Sequence, residues 1–544
     1  MIPLHKILSF FTGYQRMKKA CLLLLLLITF YSFSQPAFSP LVWQHKIPDS
    51  RGMVIKKDFE GNLLAAGRSL WGGTIITKHD TSGNLLWQEI SNDQYYLLHD
   101  MDIDSDGSVY FTGYVYDTTL STTGNPFLIK YNSFGVRQWV RVIESGKAFK
   151  IKVSNNKHIY IAGIRDSISF IGGGIRAFTA CFDSSGNRSW YHLDSSNYET
   201  NGSILEIDKS GNAYMGGYSA CCLPGYDFFV TKLDSNGVKI WSNNYPDPNI
   251  NFTAPQFSTI DDSANIYISG IATIAGGVPY DCLVAKVDSS GNLKWWNYYT
   301  QNFGTNEKEY TSDLIFDKHG NLYLTGGIED FTFLPMRQYG FTVKFNKNGV
   351  QDWVYIYNGN LNNASGLHSI ISYDDTTLIV AGTCYFSATD IRFALMVLDT
   401  MGNLKTKSET SGINYTTDVV KSNSSFYFTG MLYDTSSAGT AYDSMLVFRV
   451  NYIANTLYIP ELLTGKILNV YPNPFNQKLN IIISDKSQIK RIKLYNCTGR
   501  LVYSDIANNS SLQLNCAFLQ SGLYILEVMD AGGNVYYKKL MKTD

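Results

Sequence analysis

Charge is scarce in this chain. Asp, Glu, Lys and Arg make up only 17% of its 544 residues, and the two signs nearly cancel, to a net −1. No basic footprint exists, which excludes nucleic acid as a partner. Cysteine and histidine are as sparse, with 8 of each. They form no CxxC pair and no ligand cluster, so zinc and haem signatures are missing and no metal site is expected. Seven cysteines follow the N-terminal apolar run, an odd number and too few for a disulfide scaffold. Cys181, Cys282 and Cys384 sit in apolar stretches and are expected as buried thiols. There is no GxSxG, no phosphate-binding glycine loop and no Cys–His pairing, so no nucleophile and no catalytic residue is identified. Helical periodicity is also missing, and the expectation is an all-β fold.

Residues 1–34 carry an export signal. Met17-Lys18-Lys19 is its basic region, and Cys21–Tyr31 its apolar run, too short to span a bilayer. Ser32-Phe33-Ser34 places cleavage before Gln35. Residues 1–16 add nothing such a signal needs, so Met17 is the expected first residue.

What the chain has in abundance is aromatic residues, 14%, and a repeated phrase. Trp87, Trp139, Trp190, Trp241, Trp295 and Trp353 each lie four residues after a glycine, and Trp43 is a seventh copy without its upstream partner. Each unit contains an Asp-x-x-Gly turn, a Tyr-x-x-x-Gly strand, an apolar strand ending near Lys, a second Asp/Asn-x-x-Gly turn and the Trp strand. Such a period, near 50 residues, belongs to propeller blades of four strands. The strand glycines Gly67, Gly113, Gly163, Gly216, Gly270, Gly326, Gly382 and Gly430 give eight blades, with seven as the alternative count. They are expected where wedge-shaped sheets converge. Residues 41–46 have no blade of their own and are expected to complete the last one, closing the ring and protecting its edges. The Trp is expected to be structural. Burying up to about 250 Å² at about 25 cal/mol per Å² contributes ~6 kcal/mol before entropy.

These phrases resemble the bacterial β-propeller repeat family of extracellular proteins, over about residues 41–450. That family is defined by architecture, and the resemblance implies no activity. The Trp phrase is also similar to the blade motif of quinoprotein dehydrogenases, without a further quinone-site pattern.

Beyond a linker at 451–465, residues 466–544 change grammar. Short alternating strands there predict a small C-terminal β-sandwich. Tyr471-Pro472-Asn473-Pro474-Phe475, the Gly499 segment, Ser521-Gly522-Leu523-Tyr524 and a basic end resemble the type A sorting domain of the type IX secretion system of Bacteroidetes. The resemblance implies the secretion machinery and its sortase as partners. It also implies removal of the domain, then attachment to surface lipopolysaccharide or release.

The long loops would share one face of the propeller 35–450, where function concentrates. Their aromatics Trp71, Tyr116, Tyr226, Tyr280, Tyr339 and Tyr385 are the candidate ligand-binding residues, for an extracellular glycan or protein. Asp102, Asp104 and Asp106 match the first half of a calcium loop, but Gly113 stands where the closing Glu belongs. Calcium is the one cofactor left open. Glu329-Asp330, expected on a loop, is a candidate acid–base pair. The expected function is a secreted or surface binding module; the alternative is a polysaccharide-active or quinone-dependent enzyme on the same scaffold.

Overall fold

The computed structural model describes residues 37–543 apart from 40, 71, 92–95, 116–123, 144, 168–173, 196–197, 223–224, 248–249, 275–279, 301–306, 333–336, 360–364, 386–389, 412, 436–440, 454–467, 484–487, 497–499 and 532–534. Trp71, Tyr116 and Gly499 therefore lie outside the described residues, as does the export signal. Pro36–Ala454 is one compact unit, and Asn455–Asp544 belongs to another.

Among the described residues every regular element is a strand. In the larger unit, antiparallel groups of four strands follow in chain order. They are sheet 1 (50–90), sheet 2 (96–142), sheet 3 (146–193), sheet 4 (200–245), sheet 5 (250–299), sheet 6 (307–357) and sheet 7 (365–411). Sheets 4 and 5 are joined by a single parallel pair, Tyr226 with Phe252. Sheet 8 takes three strands from the end of the unit, Tyr415–Ser422, Ser425–Thr435 and Ala441–Ile453. Its remaining strands, Trp43–Pro48 and the short Ala37–Phe38, both pair with Ala441–Ile453. The first strand of each sheet packs on the first strand of the next, and Tyr415–Ser422 packs on Ser50–Lys57. Sheets arranged radially around their first strands make a β-propeller.

The turn sequences explain the hairpins. Asp104 Oδ1 accepts the amides of Asp106 and Ser108, both at 2.9 Å, and its Oδ2 accepts the Tyr110 hydroxyl at 2.8 Å. One carboxylate thus builds the turn and fastens it to the next strand. Asp208 and Asp317 do the same.

The repeated tryptophan acts between sheets. Trp87 Nε1 donates to the Ser133 carbonyl at 2.9 Å, in the second turn of sheet 2. Trp139 reaches Ser184, Trp190 Ser235, Trp241 Ser289, Trp295 Lys347 and Trp353 Thr400 in the same way. The turn glycine lies against the indole. A Cβ on Gly135 would be 2.6 Å from Trp87, and one on Gly237 2.5 Å from Trp190. The glycine before each Trp therefore serves the Trp of the preceding sheet, not its own. Lys78, Lys130 and Lys232, opposite a Trp in register, donate to the same carbonyl. Trp43 makes this contact too: its Nε1 donates to Thr81 O at 3.3 Å, Arg449 Nη1 joins at 2.8 Å, and Gly83 lies on the ring. Sheet 7 has Thr406 in the Trp position. Its neighbour, sheet 8, takes its outer strand from the other end of the chain and so lacks the turn that would receive an indole. Phe38, Tyr373 and Tyr452 pack there instead.

The strand glycines have a different cause from the one expected. Seven of the eight face a bulge in the first strand of their own sheet. Register shifts between Leu98 and Asp100, and a Cβ on Gly113 would lie 1.9 Å from the Leu97 carbonyl. Gly163 meets Lys147 O at the same distance. In sheet 4 the role falls to Gly217, at 1.6 Å from Asn201 O, rather than to Gly216. The core is distributed through the sheet interfaces. Leu64 and Ile76 of sheet 1, for example, cluster with Leu98, Phe111 and Phe127 of sheet 2.

The C-terminal unit has a three-stranded and a four-stranded sheet around one apolar core that includes Phe475, Leu479, Ile492 and Leu526. Its Tyr471–Phe475 segment clamps the last strand. Asn473 Oδ1 accepts the Met541 amide and its Nδ2 donates to Lys539 O, both at 2.9 Å. Phe475 N donates to Met541 O and Thr543 N to Phe475 O. Gly522, with φ +149°, opens Gly522–Asp530.

The dual role of the second-turn glycine is testable. Gly61 (φ +89°) has nothing within 4 Å of an added Cβ, whereas Gly237 (φ +80°) has Trp190. Gly61→Ala is expected to lose about 1–2 kcal/mol through left-handed strain alone. Gly237→Ala is expected to lose about 1–3 kcal/mol more through displacement of the indole. Chemical unfolding midpoints measure both. Equal losses would remove the indole from the explanation.

Candidate functional site

The first strands carry an unusual density of buried charge. Asp100 Oδ2 accepts the Ile151 amide of sheet 3 at 3.1 Å, and Asp102 Oδ2 accepts Val153 N at 2.7 Å. Asp313 reaches Ile370 N of sheet 7 at 2.9 Å, and Asp418 reaches Ile55 N of sheet 1 at 3.0 Å. Each carboxylate therefore ties its sheet to the next around the axis. Burial opposes the Lys56 ammonium, yet Asp418, Asp100 and Asp102 together hold it above its ordinary value. Lys152 pairs with Glu206 at 2.9 Å, and Ser258 Oγ donates to Glu206 at 2.9 Å. Lys150 Nζ reaches from sheet 3 to the Phe257 ring of sheet 5, 5.6 Å from its centroid. These groups fill the centre of the ring with bonds between sheets.

The calcium-loop candidates are dispersed by this arrangement. Asp102 is one of the central carboxylates and Asp104 builds its turn. Asp106 pairs with Lys157. Among the described residues no group of three His, Cys, Asp or Glu is arranged to hold a metal.

At the end opposite the short turns, aromatic rings run across three sheets. Tyr226 meets Tyr218 and Phe252 at centroid distances of 5.6 Å, and Phe252 meets Tyr280 at 6.5 Å. Lys308 Nζ lies over Tyr280 at 5.7 Å and over Phe331 at 4.9 Å. The belt thus joins the Tyr226 and Tyr280 candidates through Phe252, and Lys308 continues it to Phe331; sequence reasoning missed both Phe252 and Lys308. Phe252 is one aromatic among many, and only the Tyr226–Phe252 pairing marks it. Tyr280 is 39% exposed. Tyr385 belongs to another group, with Tyr415 at 6.3 Å and His368 beyond it. Burial lowers His368 to about 4, so it is neutral. Tyr339 departs from its expected role. Its register with Ile328 turns it into the core of sheet 6, at 8% exposure, where no ligand can stack on it.

Beneath the belt lie buried carboxylates, Asp281, Glu307, Glu309 and Asp330. Asp281 accepts the Thr300 hydroxyl at 2.9 Å, and Glu309 N donates to Tyr280 O at 2.8 Å. Burial raises Asp281 above its ordinary value. Glu329 and Asp330 end the strand Leu322–Asp330 rather than standing on a loop. Consecutive strand residues face opposite sides of a sheet, so the two carboxyls do not form an acid–base pair.

Asp313 is the central carboxylate most altered by its surroundings. Burial pushes it up to about 7, with Asp418 adding to the effect, against its amide bonds to Ile370 and Leu314. The folded state holds a proton that the unfolded chain releases. The associated stability is complete below about pH 4 and is lost as pH rises through about 7. Asp313→Asn cannot ionise. The unfolding temperature of the parent minus that of Asp313→Asn is therefore expected to fall between about pH 5 and pH 8. A difference that stays flat with pH would contradict this.

Among curated proteins none matches the chain. Similar solved structures include the WD40 domain of SCAP from fission yeast, at 11% identity, covering 77% of this chain and 99% of that one, with TM-score 0.42. Prolyl oligopeptidase B from Galerina marginata shares 10% identity over 76% of this chain and 55% of that one, with TM-score 0.39. PorZ, an essential surface component of the type-IX secretion system of Porphyromonas gingivalis, shares 11% over 93% and 75%, with TM-score 0.24. Likeness this weak carries nothing about function. Residues 469–543 match the secretion system C-terminal sorting domain. The chain therefore ends in a type IX sorting domain, interacts with that secretion machinery, and is exported to the cell surface or extracellular space.

Proposed function

We propose that this is a non-enzymatic, eight-bladed propeller of the bacterial β-propeller repeat kind, which binds glycan through the aromatic rim of its long-loop end. The blades are sheets 1 to 8, with the N-terminal strand completing the last one. The linker expected at 451–465 begins no earlier than 454, since the strand Ala441–Ile453 runs past 450, and the C-terminal unit is a small β-sandwich that serves as the export tag. The sortase removes it, and the propeller is attached to surface lipopolysaccharide or released.

The observation that carries this reading is the belt of Tyr226, Phe252, Tyr280 and Lys308 across sheets 4 to 6. Exposed aromatic faces stack on the apolar faces of sugars, and a cation beside them adds a donor for hydroxyls. The central carboxylates do not favour catalysis, because their oxygens are taken by backbone amides and lysines. No cofactor is required.

A glycan array of the mature chain identifies a ligand, and titration with Tyr280→Ala tests the site. Affinity is expected to fall about tenfold or more. Stability is expected to change by less than about 1 kcal/mol, since the ring is partly exposed. Unaltered affinity in Tyr280→Ala would move the site elsewhere. Cleavage of the bound polysaccharide would establish the enzyme alternative, and capture of a protein without any glycan would replace the ligand class.

A further inference from the structure

The repeat supplies its own reference. The second residue of the second turn is Thr81, Ser133, Ser184, Ser235, Ser289 and Thr400 in sheets 1 to 5 and 7. In sheet 6 the turn is Asn346-Lys347-Asn348-Gly349, with a lysine in place of the small hydroxyl residue. The Lys347 carbonyl still accepts Trp295 Nε1 at 3.0 Å, so the lysine is not needed for the contact between sheets. Its side chain is exposed, and among the described residues it makes no ion pair.

A second departure faces it. Lys78, Lys130 and Lys232 donate to the turn of the next sheet, at 3.4, 3.1 and 3.2 Å. Lys286 in sheet 5 donates to Tyr267 Oη at 2.8 Å instead. Its ammonium is thereby left in the groove between sheets 5 and 6.

That groove is open. Two adjoining cavities of about 480 and 470 Å³ share Lys286, Lys347 and Asn348, and Trp295 walls the first. The carboxylates nearby point their oxygens into their own turns or to a lysine outside the groove. Asp261, Asp288 and Asp317 accept amides of their own turns and the side chains of Asn265, Asn292 and Asn321. Asp262 pairs with Lys209 at 2.9 Å. The Lys347 ammonium and the Asn348 side-chain amide therefore remain for a ligand, the Lys286 ammonium beside them keeps donor hydrogens beyond its bond to Tyr267, and the indole face that Gly349 does not cover forms a wall.

We propose that this groove, at the end of the propeller opposite the aromatic belt, binds an anionic saccharide carrying carboxylate or sulfate groups. Lys286 and Lys347 pair with the acid groups, Asn348 bonds a hydroxyl and Trp295 forms the apolar wall. Such pairs are screened by salt.

The mature full-length chain is titrated calorimetrically with an oligogalacturonate, a heparin-derived oligosaccharide and a neutral cello-oligosaccharide. Binding of either anionic probe, weakened by salt, is expected; the two arms separate carboxylate from sulfate recognition. Lys347→Ser restores the residue type that six sister turns carry without loss of fold, and is expected to weaken binding about tenfold or more. Lys286→Gln is expected to act in the same direction, while Tyr280→Ala leaves this binding unchanged, which separates it from the rim. Failure of both anionic probes to bind, equal binding of the neutral probe, or undiminished binding by Lys347→Ser would each overturn the proposal.

Discussion

An indole of one sheet laid on a turn glycine of the next, with its N–H given to a carbonyl of that turn, is the contact on which the rest of this propeller depends. It fixes each sheet to its neighbour at the outer strand, where wedge-shaped sheets diverge most. It also decides sequence at two places at once, the Trp and the glycine of the following unit, and in four of the contacts a lysine or arginine shares the carbonyl. Its one failure is informative. Thr406 replaces Trp where the neighbouring sheet has no second turn, because that sheet borrows Trp43–Pro48 from the opposite end of the chain. Trp43 then makes the same contact with sheet 1.

The inner strands solve the complementary problem. Near the axis the sheets crowd, and carboxylates such as Asp100 and Asp418 bond directly to amides of the next sheet. A buried acid is tolerated where it accepts amide hydrogens or meets an ammonium. The ring is thus held at the perimeter by aromatic contacts and at the centre by charge.

Much of this was legible in the sequence, because repetition turns one chain into its own comparison. The all-β character followed from the missing helical periodicity, and the four-strand unit and the structural role of Trp from the spacing of the repeat. Three things did not. The strand glycines answer a bulge in the same sheet, which has no sequence mark beyond the glycine itself. Strand register decided that Tyr339 is buried while Tyr280 is exposed, and two tyrosines at the start of a strand look alike until their partners are known. The central carboxylates read as scattered acids, since the amides they bond lie about 50 residues away in sequence (Asp100 to Ile151, Asp313 to Ile370). Trp71 and Tyr116, outside the described residues, stand as expectations only.

The strand that carries Trp43 is expected to join sheet 8 to sheet 1 as firmly as any two neighbouring sheets are joined. The most direct measurement is thermal unfolding of the mature chain with residues 37–48 deleted, alone and with a synthetic peptide of that segment added. Deletion is expected to cause a large loss of stability and of cooperativity, reversed by the peptide but not by a peptide in which Ala replaces Trp43. An unchanged transition in the deleted chain would contradict it.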